Sequence, residues 1–286
     1  MKELCDLHAH TTASDGSYTP SELVRYAKEK GAMAVAVTDH DTIDGIEEAV
    51  LCAQTIGQEC IPGIEITTNK DGCEIHIVGL FVDFKDALFC SRVKDMAKTR
   101  DERNWNMVEK LIKAGFNITH HDLDRFKGCI VTKAHIGEIL VDRGYAKDVP
   151  EAMNTYLRKG GIAFVERVTP LPEVCIQVIH EAHGLAFVAH TNQIDKKDPL
   201  HSIAICKYLL EHGADGLETR YCEFDDYWRN TTESIAQSYG CLRSGGSDFH
   251  GSFKKGLDLL TGYGDLEVPY QFVTEMKKKL QQSCCK

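Results

Sequence analysis

The sequence predicts an α/β fold in which helices cover a distorted barrel of parallel strands. Short apolar runs alternate with helical segments along most of the 286 residues, a pattern typical of parallel sheets. Histidine and carboxylate residues follow several of these runs, from Asp6-Leu7-His8-Ala9-His10 near the start of the chain to Gly246-Ser247-Asp248-Phe249-His250 near its end. A closed or nearly closed barrel brings such distant strand ends to one mouth, whereas an open sheet keeps its first and last strands apart.

The first part of the chain contains four predicted strands and two predicted helices. Thr19-Pro20-Ser21-Glu22 forms a capping box with proline at the first helical position, which predicts a helix that runs to Lys30. A second helix is predicted over residues 45–56, with glycine after its last residue. The strand signals are short apolar runs, and Pro62 is expected to break the third of them. The predicted strands cover residues 4–8, 33–37, 59–67 and 73–81.

The middle of the chain changes character. Helices are predicted over residues 85–115, 133–142 and 150–159, the first of them long and highly charged. Because no strong strand interrupts this stretch, we expect residues 95–160 to form a helical insertion (cap) domain, and residues 1–94 and 161–286 to form the barrel. The charge run is typical of a solvated helix face, and the alternative is that part of the insertion covers the site as a cap.

Strands and helices alternate again after the insertion. Strands are predicted over residues 162–168, 185–190, 216–221 and 241–247. Helices are predicted over residues 172–183, 200–212, 226–239 and 270–282. The last of these strands leads into Asp248-Phe249-His250, so the chain ends as it begins, with a pair of polar side chains at a strand end.

Composition and charge narrow the class of ligand. The chain has the 43% hydrophobic and 27% charged residues of an ordinary globular protein. Its net charge of −10, without a basic stripe and interleaved aromatic residues, argues against binding long duplex nucleic acid and favours small substrates. No apolar run approaches the roughly 18 residues of a membrane span, and we recognise no signal peptide. We therefore expect a cytoplasmic protein with no membrane partner, and the oligomeric state is left open.

Ten of the twelve cysteines occur singly, from Cys5 to Cys241, and the other two, Cys284 and Cys285, are adjacent. The C-x-x-C pairs that zinc ribbons and thiol redox motifs require are absent. We expect free structural thiols in a reducing compartment.

A set of histidine and carboxylate residues at or near strand ends is predicted to bind metal. Its members are His8, His10, Asp15, His40, Glu65, His76, His190, Asp248 and His250. Four ligands saturate a tetrahedral ion, so this larger set predicts two or three divalent ions that share bridging carboxylates. Nitrogen and oxygen donors without thiolate favour Mn²⁺, Fe²⁺ or Zn²⁺ over Mg²⁺ or Ca²⁺. The excess positive charge of such a cluster predicts a small anionic substrate, for which a phosphate ester is suitable.

These motifs resemble those of the PHP (polymerase and histidinol phosphatase) superfamily of metal-dependent phosphoesterases. The resemblance rests on Asp6-Leu7-His8-Ala9-His10, Thr38-Asp39-His40, Ala189-His190 and Gly245-Gly246-Ser247-Asp248-Phe249-His250, in this order over nearly the whole chain. Within the superfamily the chain is most similar to small stand-alone enzymes that act on nucleotides, including 3′,5′-nucleoside bisphosphate phosphatases. The resemblance implies a distorted (β/α)7 barrel with a helical insertion and a trinuclear metal site.

The resemblance also implies a role for each ligand. His8, His10, Glu65 and Asp248 would hold one ion, and Glu65 would bridge to a second ion held by His76 and His190. Asp15, His40 and His250 would hold the third. Asp15, Asp248 and His250 are also predicted to be catalytic, in an attack of metal-bound hydroxide on phosphorus. Asp6 and Asp39 are expected to accept hydrogen bonds from ligand imidazoles and so to orient them.

Three residues are predicted to bind the substrate. Thr132-Lys133-Ala134-His135 stands where relatives usually have Arg-Pro-His at the start of an insertion helix. Lys133 keeps the positive charge but lacks the two-pronged guanidinium, and a surface role is the alternative for both Lys133 and His135. Gly160-Gly161 stands where relatives often have a basic residue, so Lys159 is a neighbouring cation that is available there.

The leading hypothesis is a metal-dependent phosphatase that hydrolyses phosphate monoesters of small nucleotides, such as nucleoside 3′,5′-bisphosphates. One alternative is a 5′–3′ exonuclease on short oligonucleotides, which would use the same ions. Another is a hydrolase of the amidohydrolase type, because a metal-bound hydroxide also attacks acyl carbon. The last alternative is a non-catalytic metal-binding module. It is disfavoured because none of the predicted metal ligands is missing.

Overall fold

The computed structural model describes residues 2–283, so Cys284 and Cys285 lie outside the described residues. Within this range seven strands form one sheet, with nine α-helices around it. The strands are β1 (Cys5–Asp6), β2 (Ala34–Val37), β3 (Glu59–Lys70), β4 (Cys73–Leu80), β5 (Leu185–Val188), β6 (Gly216–Tyr221) and β7 (Leu242–Gly246). The helices are α1 (Pro20–Glu29), α2 (Ile46–Ile56), α3 (Ala87–Lys113), α4 (Lys133–Asp142), α5 (Val149–Ala152), α6 (Pro172–Glu181), α7 (Pro199–Glu211), α8 (Asp226–Tyr239) and α9 (Gln271–Ser283).

The strands follow one another across the sheet in chain order, from β1 to β7. The first and last strands then meet, because the Leu7 N–H donates to the Gly245 carbonyl at 3.1 Å. Just beyond them, the Asp248 N–H donates to the His8 carbonyl at 2.9 Å. The sheet is therefore a nearly closed barrel of seven strands, and the predicted distorted (β/α)7 barrel is confirmed.

One strand of the barrel runs against its neighbours. β4 pairs antiparallel with both β3 and β5, so the expectation of a wholly parallel sheet is wrong at this strand. The reason is the turn at Asp71 and Gly72, where both residues adopt positive φ and join β3 to β4 directly. No helix crosses over between these two strands. Glu65 on β3 and His76 on β4 consequently lie as diagonal neighbours in the antiparallel pair.

Two expectations about strands are wrong. Pro62 does not break β3, since it pairs with Val37 of β2 and its carbonyl accepts a hydrogen bond from the Val82 N–H at 3.3 Å. Residues 162–168 form no strand. Ala163 is buried in the apolar cluster of the insertion and Val165 packs against that cluster, whereas Val168 is 82% exposed, so the segment packs on the insertion instead of joining the sheet.

The helix signals in the sequence match the observed helices closely. Thr19 caps α1 as part of the predicted capping box, in which the Glu22 side chain accepts from the Thr19 N–H at 2.8 Å. Thr132 caps α4, whose bounds are those predicted. Helix α3 is continuous for 27 residues and carries the chain from the barrel into the following helices.

The helices between β4 and β5 have an apolar cluster of their own. Buried members from α3, α4 and the segments that follow include Met107, Leu111, Ile136, Leu140 and Leu157. The barrel interior is filled separately by residues such as Leu7, Ala36, Ile61 and Phe187. This separation supports the division into a barrel and an insertion over residues 95–160, which stays a prediction.

No helix within residues 2–283 combines the length and the apolar character needed to cross a membrane. The ten cysteines of the described residues are free, and six of them, such as Cys73 and Cys129, are only partly buried.

Candidate metal centre

Glu65 lies at the centre of a histidine cluster at the mouth of the barrel. Its carboxylate oxygens lie within 3.3 Å of ring nitrogens of five histidines: His8, His10, His40, His76 and His190. Oε1 faces His76 at 2.7 Å and His190 at 2.8 Å, whereas Oε2 faces the other three rings. A carboxylate whose two oxygens face separate groups of imidazoles has the geometry of a bridging metal ligand.

Two aspartates complete the cluster. Asp248 Oδ1 lies 3.2 Å from His10 Nε2 and 3.4 Å from His250 Nδ1. Asp15 Oδ1 lies 3.4 Å from His250 Nε2 and 3.8 Å from His10 Nδ1. The barrel therefore brings all the side chains predicted as metal ligands into one cluster, although they come from widely separated parts of the chain.

The ligand atoms separate into three overlapping groups. The groups are His8, His10 and Glu65; His40, Glu65 and His76; and His10, Asp15, His40 and His250. Glu65, His10 and His40 are each shared by two of the groups. His190 and Asp248 lie outside these groups but contact Glu65 and His10 directly. The assignment of each residue to a particular ion stays a prediction.

The donor atoms themselves fit a set of bound cations. Six buried polar atoms of the cluster have no hydrogen-bond partner within residues 2–283: His8 Nε2, both ring nitrogens of His10, Asp15 Oδ1, His40 Nδ1 and Glu65 Oε2. Buried polar atoms are rarely left unpaired, because each costs about 1–3 kcal/mol. Here they all point into the same cluster and are nitrogen and carboxylate oxygen atoms, the donors that divalent transition metals prefer.

Electrostatics keep the carboxylates of the cluster ionised. Burial opposes ionisation of Glu65, but His40 and His76 hold its pKa well below the ordinary value. Burial also opposes ionisation of Asp248, but Lys254 and His250 hold its pKa well below the ordinary value. Both groups are therefore in the charged form that metal binding requires.

The backbone is strained at Asp248, two residues after β7. Asp248 adopts a φ of 55°, in the left-handed region that costs a residue other than glycine of the order of 1–3 kcal/mol. Hydrogen bonds hold this conformation, because Asp248 Oδ2 accepts from Tyr221 Oη at 3.0 Å and from Lys254 Nζ at 2.5 Å. The strain aims the other carboxylate oxygen, Oδ1, at His10.

Glu218 belongs to the site and was not predicted from the sequence. It is fully buried on β6, and its Oε1 lies 2.8 Å from His8 Nδ1. Its Oε2 accepts a hydrogen bond from the His190 N–H at 2.5 Å. The signal that could have found it is an acidic residue inside the apolar run of residues 216–221, where a buried charge needs a partner.

Asp6 and Asp39 contact no imidazole within the part of the chain that the structure describes. Asp6 accepts from the Ser247 hydroxyl at 2.5 Å and from the Leu260 N–H at 2.8 Å. Asp39 accepts from the Thr11 hydroxyl at 2.7 Å and from the Ser14 hydroxyl at 2.6 Å. Both aspartates therefore brace the loops that carry the ligands, and Glu218 makes the contact with an imidazole.

A cavity of about 150 Å³, the inner cavity, opens beside the metal centre. Asp15, His40 and His76 line its inner end. Arg100, Arg103, Lys133 and Arg167 line it further out. The inner cavity is thus acidic and imidazole-rich at one end and strongly basic at the other.

The basic end contains three guanidinium groups, two of which share one buried carboxylate. Asp41 Oδ2 accepts hydrogen bonds from Arg100 Nη2 at 2.5 Å and from Arg167 Nη1 at 2.6 Å. Burial opposes ionisation of Asp41, yet these two arginines lower its pKa. Among the described residues Arg103 has no such partner: it is only 5% exposed, and its Nε lacks a hydrogen bond. Burial and the charges of Arg100 and Arg167 lower the Arg103 pKa to about 9.

A larger cavity of about 470 Å³, the outer cavity, adjoins the inner one. The two cavities share the cations Arg103, Lys133 and Arg167 and the carboxylate of Glu74 in their walls. The outer cavity adds Arg158, Lys159, Lys196 and the ring of Phe164 to its lining. A continuous basic passage therefore leads away from the metal centre.

The three residues predicted to bind substrate lie in different surroundings. Lys133 lines both cavities and Lys159 lines the outer one. His135 is buried, and its Nδ1 accepts a hydrogen bond from the Thr132 N–H at 2.9 Å in the cap of α4. His135 lines neither cavity, and its role in substrate binding stays a prediction.

Comparison with known proteins identifies a matching family and several relatives. The model of the PHP domain matches residues 6–164. A 5′-3′ exoribonuclease of Haemophilus influenzae is 34% identical over 250 residues, which cover 87% of this chain and 91% of that protein. A 3′,5′-nucleoside bisphosphate phosphatase of Chromobacterium violaceum is 29% identical over 260 residues, which cover 89% and 90% of the two chains.

Two solved structures have the same overall fold. A protein of Bifidobacterium adolescentis, assigned as a metal-dependent phosphoesterase, superposes with a TM-score of 0.85 at 26% identity, over 97% of this chain and 96% of that one. An amidohydrolase of Chromobacterium violaceum, solved with sulfate, superposes with a TM-score of 0.84 at 26% identity, over 96% of each chain.

Proposed function

The chain belongs to the PHP domain family and is a metal-dependent phosphoesterase, and from this premise we propose that it hydrolyses the 3′-phosphate ester of nucleotides that carry a second, 5′-phosphate. In this proposal the ester to be cleaved lies at the metal centre. The second phosphate lies at the basic end of the inner cavity. The single observation that carries the proposal is the buried guanidinium of Arg103, which makes no ion pair within residues 2–283 and whose Nε lacks a hydrogen bond there.

An arginine buried without a counter-charge is costly unless an anion binds to it. Arg103 lies beside Arg100 and Arg167, whose shared carboxylate is already bonded to both of them. The other nearby carboxylate, Glu74, already contacts Lys133 and His76. A phosphate dianion offers the charge and the several acceptor oxygens that such a group of guanidiniums binds in bidentate fashion. Because Arg103 lines both cavities, a phosphate bound there would lie next to the metal centre.

The names of the relatives are consistent with one shared substrate feature. A nucleoside 3′,5′-bisphosphate has an ester on its 3′ oxygen and a phosphate on its 5′ oxygen. The 5′-terminal nucleotide of an RNA also has an ester on its 3′ oxygen, where the chain continues. A site that anchors the 5′ group and cleaves the 3′ ester therefore suits both kinds of substrate.

We propose that two or three ions of the Mn²⁺, Fe²⁺ or Zn²⁺ type bind to the cluster. His8, His10, Glu65 and Asp248 would hold one ion. His76 and His190 would share Glu65 in holding a second ion, and the third would bind to Asp15, His40 and His250. Bound ions of this kind activate water at neutral pH and neutralise the charge of a phosphoryl group.

The side chains of the protein supply binding and orientation. Glu218 holds the His8 ring by its Nδ1 atom, so Nε2 is directed at the cluster. Tyr221 and Lys254 hold Asp248 through its Oδ2 atom. Arg100 and Arg103 are supplied by α3, so the predicted insertion would take part in substrate binding as a cap over residues 95–160.

A second candidate function is exonucleolytic cleavage of short oligonucleotides from the 5′ end. The outer cavity favours it, because Arg158, Lys159 and Lys196 offer charges beyond what a mononucleotide needs. Phe164 adds a ring on which a base would stack. The overall charge of −10 still disfavours long nucleic acid, so the substrate of this activity would be short.

A substrate panel tests the proposal. The full-length protein is loaded with Mn²⁺ and given a nucleoside 3′,5′-bisphosphate, a short 5′-phosphorylated RNA and an amide, and the products are identified. Release of inorganic phosphate from the bisphosphate is the expected result, and release of 5′-mononucleotides from the RNA would add the second activity. A protein that carries its metals but releases nothing from either ester would contradict the proposal.

A further inference from the structure

We infer that Cys73, Asp195 and His201 form a second metal site, of the type that binds zinc, apart from the histidine cluster at the barrel mouth. The three side chains come from different parts of the fold. Cys73 is the first residue of β4, Asp195 lies in the loop that precedes α7, and His201 lies in the first turn of α7. All three are partly buried, and their ligand atoms lie within 4.8 Å of one another.

The distances between ligand atoms match those around a tetrahedral zinc ion. Cys73 Sγ lies 3.9 Å from His201 Nδ1, and Asp195 Oδ2 lies 3.0 Å from the same nitrogen. Metal–sulfur and metal–nitrogen bonds of about 2.3 Å and 2.1 Å at a tetrahedral angle place sulfur and nitrogen roughly 3.6 Å apart. The corresponding separation of nitrogen and carboxylate oxygen is about 3.4 Å. A shift of less than about 0.5 Å in each of these two contacts would therefore bring them to the separations expected around the ion.

The loop before α7 uses one carboxylate oxygen of Asp195 and leaves the other available for a metal ion. Asp195 Oδ1 accepts hydrogen bonds from the Lys197 N–H at 3.0 Å and from the Asp198 N–H at 3.2 Å. Asp195 Oδ2 is then directed at the ring of His201. The backbone N–H of His201 donates to Asp198 Oδ1 at 3.1 Å. Asp195 and His201 are thus each positioned by hydrogen bonds to the backbone at the start of α7, in addition to the contact between them.

The donor set distinguishes this site from an ordinary ion pair. An exposed histidine–aspartate pair gains little from a neighbouring thiol, whereas a set of one sulfur, one nitrogen and one oxygen donor suits zinc. Among residues 2–283, Cys73 is the only cysteine that lies in such a group of ligands. Burial and Asp195 raise the pKa of the Cys73 thiol, so it is a poor free nucleophile, and a bound cation would favour its thiolate form.

The site lies at the rim of the outer cavity. Gly72, next to Cys73, and Lys196, next to Asp195, both line that cavity. A bound ion would join the β3–β4 hairpin to the loop before α7, with a fourth coordination position left for water or another ligand. It would therefore fix the shape of the rim without taking part in the chemistry at the histidine cluster.

Cobalt spectroscopy separates the two metal sites. Co²⁺ replaces zinc and gives a near-ultraviolet charge-transfer band only where a thiolate is a ligand, and the predicted ligands of the histidine cluster offer only nitrogen and oxygen. Full-length protein stripped of metal and titrated with Co²⁺ should develop this band. C73S should lose the band together with a metal equivalent per chain, and H201Q should weaken Co²⁺ binding at this site by at least about tenfold.

Three control variants make the result decisive. Cys90 is a partly buried cysteine outside the site, so C90S should keep the band. A variant with Cys284→Ser and Cys285→Ser should also keep it, which excludes the end of the chain as the thiolate source. H10A should keep the band while losing metal from the histidine cluster, so failure of the proposed function and failure of this site are distinguishable. The inference is overturned if the unaltered protein shows no band in excess Co²⁺, or if C73S and H201Q, with unchanged circular dichroism, retain it.

Discussion

The Nδ1 atom of His8 lies 2.8 Å from Oε1 of Glu218, and both side chains are completely buried. The contact joins β6 to the end of β1 across the barrel. Because the carboxylate accepts the Nδ1 proton, the neutral imidazole has its free nitrogen, Nε2, on the side of Glu65. The same carboxylate also binds the His190 N–H, so one residue orients two neighbouring parts of the metal centre.

Replacing Glu218 with glutamine should weaken metal binding more than it weakens folding. The amide is the same size but offers a poorer acceptor to His8, and loss of such a partner typically costs 10- to 100-fold in metal affinity. Titration of the metal-free variant with Mn²⁺ measures the effect. Glu233→Gln is the matched control, since Glu233 pairs with Arg220 and Arg243 away from the centre, and its affinity for metal should not change. Equal affinity in E218Q and the unaltered protein would refute the positioning role.

Replacing Asp41 with asparagine should destabilise the protein strongly. Asp41 is buried and shared by Arg100 and Arg167, so the variant leaves buried cations without a counter-charge. Breaking a buried pair in this way costs about 3–5 kcal/mol. Asparagine tolerates the φ of 50° at this position, which isolates the effect of charge.

Urea unfolding of D41N measures this change in free energy. Glu181→Gln removes the more exposed ion pair with Arg92 and should cost less than about 1 kcal/mol. If D41N and E181Q unfold at the same urea concentration, the ion pairs of Asp41 with Arg100 and Arg167 do not stabilise the fold.

Divalent metal should stabilise the folded protein. The unpaired ligand atoms of the cluster are brought together only in the folded barrel. An ion therefore binds the folded state in preference to the unfolded one. An ion at about 1,000 times its dissociation constant would add roughly 4 kcal/mol to the free energy of unfolding. Thermal unfolding with Mn²⁺ and with a chelator measures this difference. H10A should reduce the stabilisation, and an undiminished effect in that variant would show that the ion binds elsewhere.

His180 should make stability depend on pH in a predictable direction. Its Nε2 lies 2.7 Å from Asp215 Oδ2, and this hydrogen bond raises the His180 pKa above the ordinary value of 6.5. Since the folded state holds the proton more tightly, the contribution is complete below pH 6.5 and disappears as the pH rises through the folded pKa. The free energy of unfolding of H180Q should therefore fall short of the unaltered protein at about pH 5.5 and approach it at about pH 8.5. A constant difference over this range would contradict the assignment.

Most of the residues that the sequence predicted as metal ligands follow short apolar strands, whereas Glu65 and His76 lie within β3 and β4. A barrel gathers strand ends, so side chains as distant as His8 and Asp248 could be assigned to one cluster without knowledge of the pairing of strands. Glu218 was missed because it is a single acidic residue in an apolar run, with no neighbouring histidine in the sequence to indicate its partner.

The basic passage was harder to predict for a different reason. Arg100 and Arg103 belong to a charged helix, and such a run is usually a solvated face. Their burial depends on how the helix packs against Asp41 and the segment of Arg167, which is a tertiary contact. Tertiary contacts also decide the structure of residues 162–168, whose apolar pattern predicted a strand but which pack on the insertion instead of pairing with the sheet.

The central claim, that a second phosphate binds at Arg103, is tested most directly by removing the phosphate and the arginine separately. The measurement is kcat/KM for a nucleoside 3′,5′-bisphosphate and for the 3′-monophosphate, in the unaltered protein, in R103M and in R92M. A charged hydrogen bond of about 1.5–3 kcal/mol predicts that the unaltered protein prefers the bisphosphate by roughly 10- to 100-fold. R92M alters an arginine of the same helix that pairs with Glu181 outside both cavities, and it should keep this preference. R103M should lose most of the preference, and an unchanged preference in R103M would contradict the account.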